Sequence, residues 1–157
     1  PETINDRSVF GHWEIDSVLG TQKAGEPSIL TLVERKTRYA ITAYLAGKTA
    51  ATVNEAVKEL MGLYPIKSIT ADNGSEFAAL NELEGVQVYY AHAYSSYERG
   101  TNENFNGLLR EFVPKGKSLK TLTAEDLAKA TLAINQRPRR LLNYQTAKTL
   151  FGLAQTA

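Results

Sequence analysis

An α/β fold, with one mixed five-stranded sheet flanked by helices, is what this sequence predicts, and three observations predict it. Five short runs have the alternation or β-branched content of strands. The first three follow one another through short connections, whereas helical spacing separates the later ones, which favours layered α/β packing over a bundle or sandwich. The 157 residues, 43% hydrophobic and 22% charged, suit one domain spanning 1–157 with a core of its own.

The elements follow in order. His12 to Leu19 alternates bulky apolar and polar residues and reads as a strand closed by Gly20. Ser28 to Glu34 and Tyr39 to Leu45 read as two more, joined by a charged turn, Glu34 to Arg38, in which Arg35, Lys36 and Arg38 are expected to be solvated. Together they make an antiparallel meander. From Thr49, a candidate N-cap, Val53, Val57, Leu60 and Tyr64 recur at helical spacing until Pro65. Ile66 to Thr70 is a short strand, Ser75 to Leu83 is weakly helical, and Val86 to Tyr90 is the fifth strand. A long helix is expected from about Thr101 to Val113, burying Phe105, Leu108, Leu109 and Phe112. The last helix starts at a capping-box sequence, Thr123-Ala124-Glu125-Asp126, and stops before Pro138. Trp13 and Phe10 read as packing residues, and His12 as structural or as an orienter of a nearby site.

Composition excludes several chemistries. Cysteine is absent, which removes disulfides, thiol catalysis and zinc–thiolate sites. No apolar run approaches the roughly 18–20 residues that span a bilayer, so no membrane partner is expected. The chain opens on Pro1 rather than Met and is expected to be a piece of a longer protein. Its net charge of +1 hides an asymmetry: residues 1–90 carry 8 bases and 12 acids, residues 91–157 carry 10 bases and 5 acids. Such a near-neutral total predicts only weak long-range attraction to a polyanion by this piece alone.

Three acids stand where functional groups converge in α/β sheets: Asp16 in the first strand, Asp72 just past the fourth, and Glu103 in the first turn of the long helix. Gathered together they would repel one another unless a hard divalent cation neutralised them, which is what Mg²⁺ or Mn²⁺ does. Two such ions about 3.5–4 Å apart would clamp the attacking and leaving oxygens of a phosphoryl transfer. With no Cys and only His12 and His92, an oxygen-ligand site is the easiest metal site for this chain to build. Asp72-Asn73-Gly74 taken alone is an ordinary turn sequence. Two basic clusters, Lys115, Lys117 and Lys120, then Arg137, Arg139 and Arg140, suit phosphate contacts.

Several stretches in series carry a resemblance: GHWEID (11–16), LVERKTRY (32–39), TADNGSEF (70–77), YSSYERGTNENFNGLLREFVPKG (94–116) and NQRPRRLLNYQTA (135–147). In this set the sequence resembles the catalytic core of DDE transposases of the bacterial insertion-sequence-thirty family, in the retroviral-integrase superfamily. The resemblance implies a ribonuclease-H-like fold, with Asp16, Asp72 and Glu103 as the catalytic, metal-binding triad. Asp16 would bridge two Mg²⁺ or Mn²⁺ ions, Asp72 would hold one and Glu103 the other. It implies cleavage at the 3′ ends of element DNA and transfer of the freed 3′-hydroxyl into target DNA, with no covalent enzyme intermediate. Asn106 and Arg110 would face DNA from the acid-bearing helix. The implied partners are double-stranded DNA, as element terminal repeats and target, and further copies of the chain. The implied setting is the bacterial cytoplasm at the nucleoid, with an N-terminal DNA-binding domain absent here.

Two departures from that family matter. Thirty residues separate Asp72 from Glu103, fewer than is usual, so a helix between Phe77 and Val86 is expected to be trimmed to a turn or two. Glu111, two turns on, is the alternative third acid, although Gly100-x-x-Glu103-x-x-Asn106 matches the superfamily's helix start. Ser96 stands where the family often has proline, which predicts a looser loop around Tyr94 to Tyr97.

Overall fold

A computed structural model describes residues 7–21, 25–91 and 100–157. The meander is β1 (His12–Leu19), β2 (Ser28–Glu34) and β3 (Ala40–Leu45), paired antiparallel. Helix α1 (Ala50–Met61) then crosses over to β4 (Ser68–Ala71), which pairs parallel to β1, and β5 (Gln87–Tyr90) adds parallel to β4. The sheet order is β3-β2-β1-β4-β5, so β1 is the central strand and its junction with β4 is where pairing changes from antiparallel to parallel. Helices α2 (Gly100–Leu109), α3 (Ala124–Asn135) and α4 (Ala147–Thr156) complete the fold.

Alternation along the strands divides the core between the two sheet faces. One face carries Trp13 and Ile15 of β1, Leu30 and Leu32 of β2 and Ile69 of β4, and packs on Val53 and Val57 of α1 and Phe151 of α4. The other carries Val18, Ile29 and Val33, and packs on Phe105 and Leu109 of α2 and on Leu127, Ala130 and Ile134 of α3. Thr49 caps α1 by accepting from the Thr52 amide, and the Thr123–Asp126 capping box of α3 is formed in both directions.

Several expectations need correction. The helix expected to reach Val113 ends at Leu109 and continues as turns, because Pro114 disfavours helical geometry in the residue before it. Val113 then becomes a core residue and Phe112 is left 43% exposed instead of joining the buried stripe. The charged hairpin is only partly solvated: Lys36 is exposed, Arg38 is half-buried, and Arg35 is buried against Glu14. Helix α4 was not foreseen at all. Its Phe151 stacks on Tyr39, with ring centres 4.2 Å apart, and meets Trp13 edge-on. Between Phe77 and Val86 one short 3₁₀ turn, Leu80–Glu82, stands where a longer helix would be, as the interval required. His92 and the loop expected at Tyr94 to Tyr97 lie outside the described residues.

Candidate active site

The site is built from the middle of the sheet outward. Alternation turns Trp13 and Ile15 to one face of β1 and Glu14, Asp16 and Val18 to the other, the face covered by α2. The parallel register His12↔Ser68, Trp13↔Ile69, Glu14↔Thr70 runs β4 alongside β1, so that Asp72, one residue past the end of β4, follows the strand next to the one that carries Asp16.

Each acid is held in its own way. Asp16 Oδ1 accepts from the Ser17 amide at 2.8 Å, and Asp16 Oδ2 accepts from Asn106 Nδ2 at 2.9 Å. Asp72 Oδ1 accepts from the Gly74 amide at 2.7 Å, an Asx-type turn that fixes the carboxylate over the chain. Glu103 is exposed in the first turn of α2, one turn before Asn106 and on a neighbouring part of the helix surface. Glu111 lies beyond the end of α2 and pairs with Arg137 at 3.1 Å. Among the described residues, no three His, Asp or Glu side chains gather into a group that would hold a metal ion.

The residues nevertheless fit a hard divalent cation. All three expected ligands are carboxylates, and glycine at 74 keeps space open beside one of them. A Cβ there would lie 2.8 Å from Asp72 Oδ1 and from both Glu76 oxygens. The Asp72 and Glu76 carboxylates therefore converge on one point, and glycine at 74 leaves that point free. Glu76 is a residue that sequence reading undervalued. It is buried, accepts from Ser17 Oγ at 3.3 Å, and has Lys48 Nζ 3.6 Å away. Its only sequence signal was its place two residues after Gly74.

The second residue group missed is Glu14, Arg35 and Asn102, all essentially inaccessible to solvent. Arg35 Nε donates to Glu14 Oε2 at 2.9 Å, and the Asn102 amide donates to Glu14 Oε1 at 3.0 Å. In sequence Glu14 looked like the polar partner in an alternating strand, and Arg35 like part of a solvated turn.

The basic residues expected to meet phosphates fall into two open grooves. Arg110 and Lys115 line a groove of about 530 Å³ with Leu19 to Thr21 at the end of β1. There Arg110 Nη2 donates to the Leu19 carbonyl at 3.0 Å, and the Gly116 amide donates to that of Gly20. Gly20 itself admits no side chain, since a Cβ would overlap the Lys117 carbonyl. Lys117 is exposed on the same loop. The other groove, about 630 Å³, runs along Asn104 and Leu108 of α2 and residues 137–141. Arg140 is exposed there and Arg137 is tied to Glu111, while Arg139 is 7% exposed. Burial, and then the Arg137 charge, push the Arg139 guanidinium below the usual arginine range. Asn106 and Arg110 are both partly exposed and both bonded to β1. His12 pairs its Nδ1 with Ser68 Oγ at 2.6 Å, and burial followed by the Lys67 charge lowers its pKa.

Comparison with known proteins places this geometry. No family model matches the chain. It is 69% identical, over all of its length, to the probable transposase for insertion-like sequence element IS1161 of Streptococcus salivarius, of which it covers 46%. It is 40% identical over 98% of its length to the transposase InsI for insertion sequence element IS30A of Escherichia coli, covering 41% of that protein. The chain therefore spans somewhat less than half the length of these relatives. In fold it is similar to the catalytic core domain of BIV integrase, with a TM-score of 0.71 over 93% of this chain and 96% of that one, at 17% identity. Over its whole length the chain is thus similar to a segment of IS30-type transposases, and it has the ribonuclease-H-like fold of an integrase catalytic core.

Proposed function

We propose that this chain is the catalytic core of a DNA transposase, a polynucleotidyl transferase that cuts the 3′ ends of its element and joins them to target DNA. The observation that supports the reading is the hydrogen bond from Asn106 Nδ2 to Asp16 Oδ2, which holds the helix that bears Glu103 against β1, the strand that β4, ending one residue before Asp72, flanks in parallel. Asp16, Asp72 and Glu103 would hold Mg²⁺ or Mn²⁺, two ions in the active complex. When bound, such ions lower the pKa of the attacking oxygen and neutralise charge on the leaving one. The chain's own part is positional. Ser17 and Asn106 orient Asp16, and the Gly74 amide orients Asp72. Nothing in this arrangement requires a side-chain nucleophile.

DNA would be held through its phosphates. Lys115, Arg139 and Arg140 line the two grooves, Lys117 is exposed on the loop beside the first, and Arg137 is shared between Glu111 and the second. Arg110 and Asn106 act chiefly on β1 and would reach DNA only at their edges. Pairing two element ends calls for more than one copy of the chain.

Calorimetric titration with Mn²⁺ tests the reading. Wild type should bind, whereas Asp16→Asn and Asp72→Asn should lose binding while their melting temperatures stay close to wild type. Unchanged binding in both variants would overturn it. A strand-transfer assay with pre-nicked ends, run on the full-length protein, separates a transposase from a nuclease that cuts without joining.

A further inference from the structure

We propose that Glu14, backed by Arg35, is a positioning residue that sets the register of α2 along β1 and so fixes where Glu103 stands relative to Asp16. The inference rests on the metal-site reading above. Side chains on one face of a strand repeat every two residues, a step of about 6.6 Å, and helix residues four apart are separated by about 6.0 Å along the axis. A strand and a helix running the same way over each other can therefore exchange a hydrogen bond at every such step.

β1 and α2 do this at two rungs: Glu14 meets Asn102 and Asp16 meets Asn106, two residues apart on the strand and four on the helix; just past the end of α2, Arg110 adds a bond to the Leu19 carbonyl, off that period. The first rung is the strongest. Glu14 Oε1 accepts the Asn102 amide at 3.0 Å, and the Glu14 carbonyl accepts Asn102 Nδ2 at 3.1 Å. The Asn102 amide is one of the helix-start donors that has no partner within the helix, and a carboxylate there also suits the positive end of the helix dipole. Arg35 holds the other Glu14 oxygen at 2.9 Å, with both side chains buried.

A slip of one residue would turn the helix by 100° and carry all three donors off their acceptors. A buried carboxylate would then be left half-satisfied, so the ladder holds one register only. Glu103 directly follows Asn102, whose amide is the fixed point. The rung at Glu14 thus places an acid that is itself exposed and makes no such contact of its own.

The test uses Glu14→Gln/Arg35→Met, which removes both buried charges together; Arg7, 3.8 Å from the same Glu14 oxygen, is one-third exposed and stays solvated. Mn²⁺ affinity should fall about 10–100-fold, the usual loss when a group that orients a metal ligand is removed. Leu127→Ala, a core truncation on α3, should leave the affinity unchanged. If Asp16→Asn abolishes Mn²⁺ binding but the double variant binds as wild type does, the positioning role is wrong and the metal site stands. If Asp16→Asn and Asp72→Asn both bind normally, the metal site itself is wrong. A second readout needs no metal: amide hydrogen exchange at Asn102 and Glu103 should quicken at least about tenfold in the double variant, relative to amides in α3. Unchanged exchange there overturns the ladder as the device that holds α2.

Discussion

The two faces of the sheet are covered by helices of similar length but are stabilised differently. On the side of α1 and α4 the contact is apolar and rich in aromatic rings. Phe151 sits among Phe10, Trp13, Tyr39 and Tyr64, with ring centres between 4.2 and 6.4 Å away. On the side of α2 and α3, apolar packing by Phe105, Leu109 and Ile134 is interleaved with buried Glu14, Thr31, Asn102 and Asn135. Asn135 exchanges two hydrogen bonds with the backbone of Ala40, and Thr131 Oγ1 meets Thr42 Oγ1 at 2.6 Å. Apolar contact is strong but forgiving of small shifts, whereas hydrogen bonds are directional and enforce one register. The face that carries the acids is the face that needs a fixed register, and it is the one furnished with polar contacts.

Four substitutions would break or sharpen this contrast. The largest loss of stability is expected from Phe151→Ala, about 3–5 kcal/mol by urea denaturation, with Mn²⁺ affinity unchanged in the folded fraction. If metal affinity falls as well, the two faces are not separable. Gly74→Ala should do the reverse. The added methyl displaces the Asp72 and Glu76 carboxylates, so Mn²⁺ affinity drops about 10–100-fold in calorimetry while the melting temperature moves little. Arg140→Gln, at the exposed arginine of the C-terminal groove, tests that surface. The slope of log affinity for duplex DNA against log salt should become shallower by about 0.9, the value of one phosphate contact, with no dependence on DNA sequence. The smallest effect is expected from Thr123→Ala. Loss of one half of the α3 capping box should cost about 1 kcal/mol, read as a shift in the urea midpoint, and leave DNA and metal binding as they were.

Much of this was legible in the residues. Alternation over Trp13 to Asp16 and the apolar, β-branched run of Ser28 to Glu34 marked β1 and β2, and the caps at Thr49 and Thr123 marked two helix starts, because such signals depend only on neighbours in sequence. Helix α4 was missed although Thr146 caps it, since its apolar face is thin and its value comes from the aromatic rings it meets. The three acids could be named from their positions at strand ends and a helix start. Glu76 and Glu14 could not, because nothing local distinguishes a buried acid from a solvated one.

The sequence alone determined the mixed sheet, the order of its elements as far as α3 and a chemistry confined to oxygen ligands, as these follow from local periodicity and from the absence of cysteine. Tertiary structure decided which charges are buried together and which side chains share a rung. Arg35 left the solvated turn for Glu14, Asn106 met Asp16 from 90 residues away in the chain, and Asn102 met Glu14 from 88. The physical reason is that burial and hydrogen-bond register arise between elements far apart in sequence, where no local pattern records them.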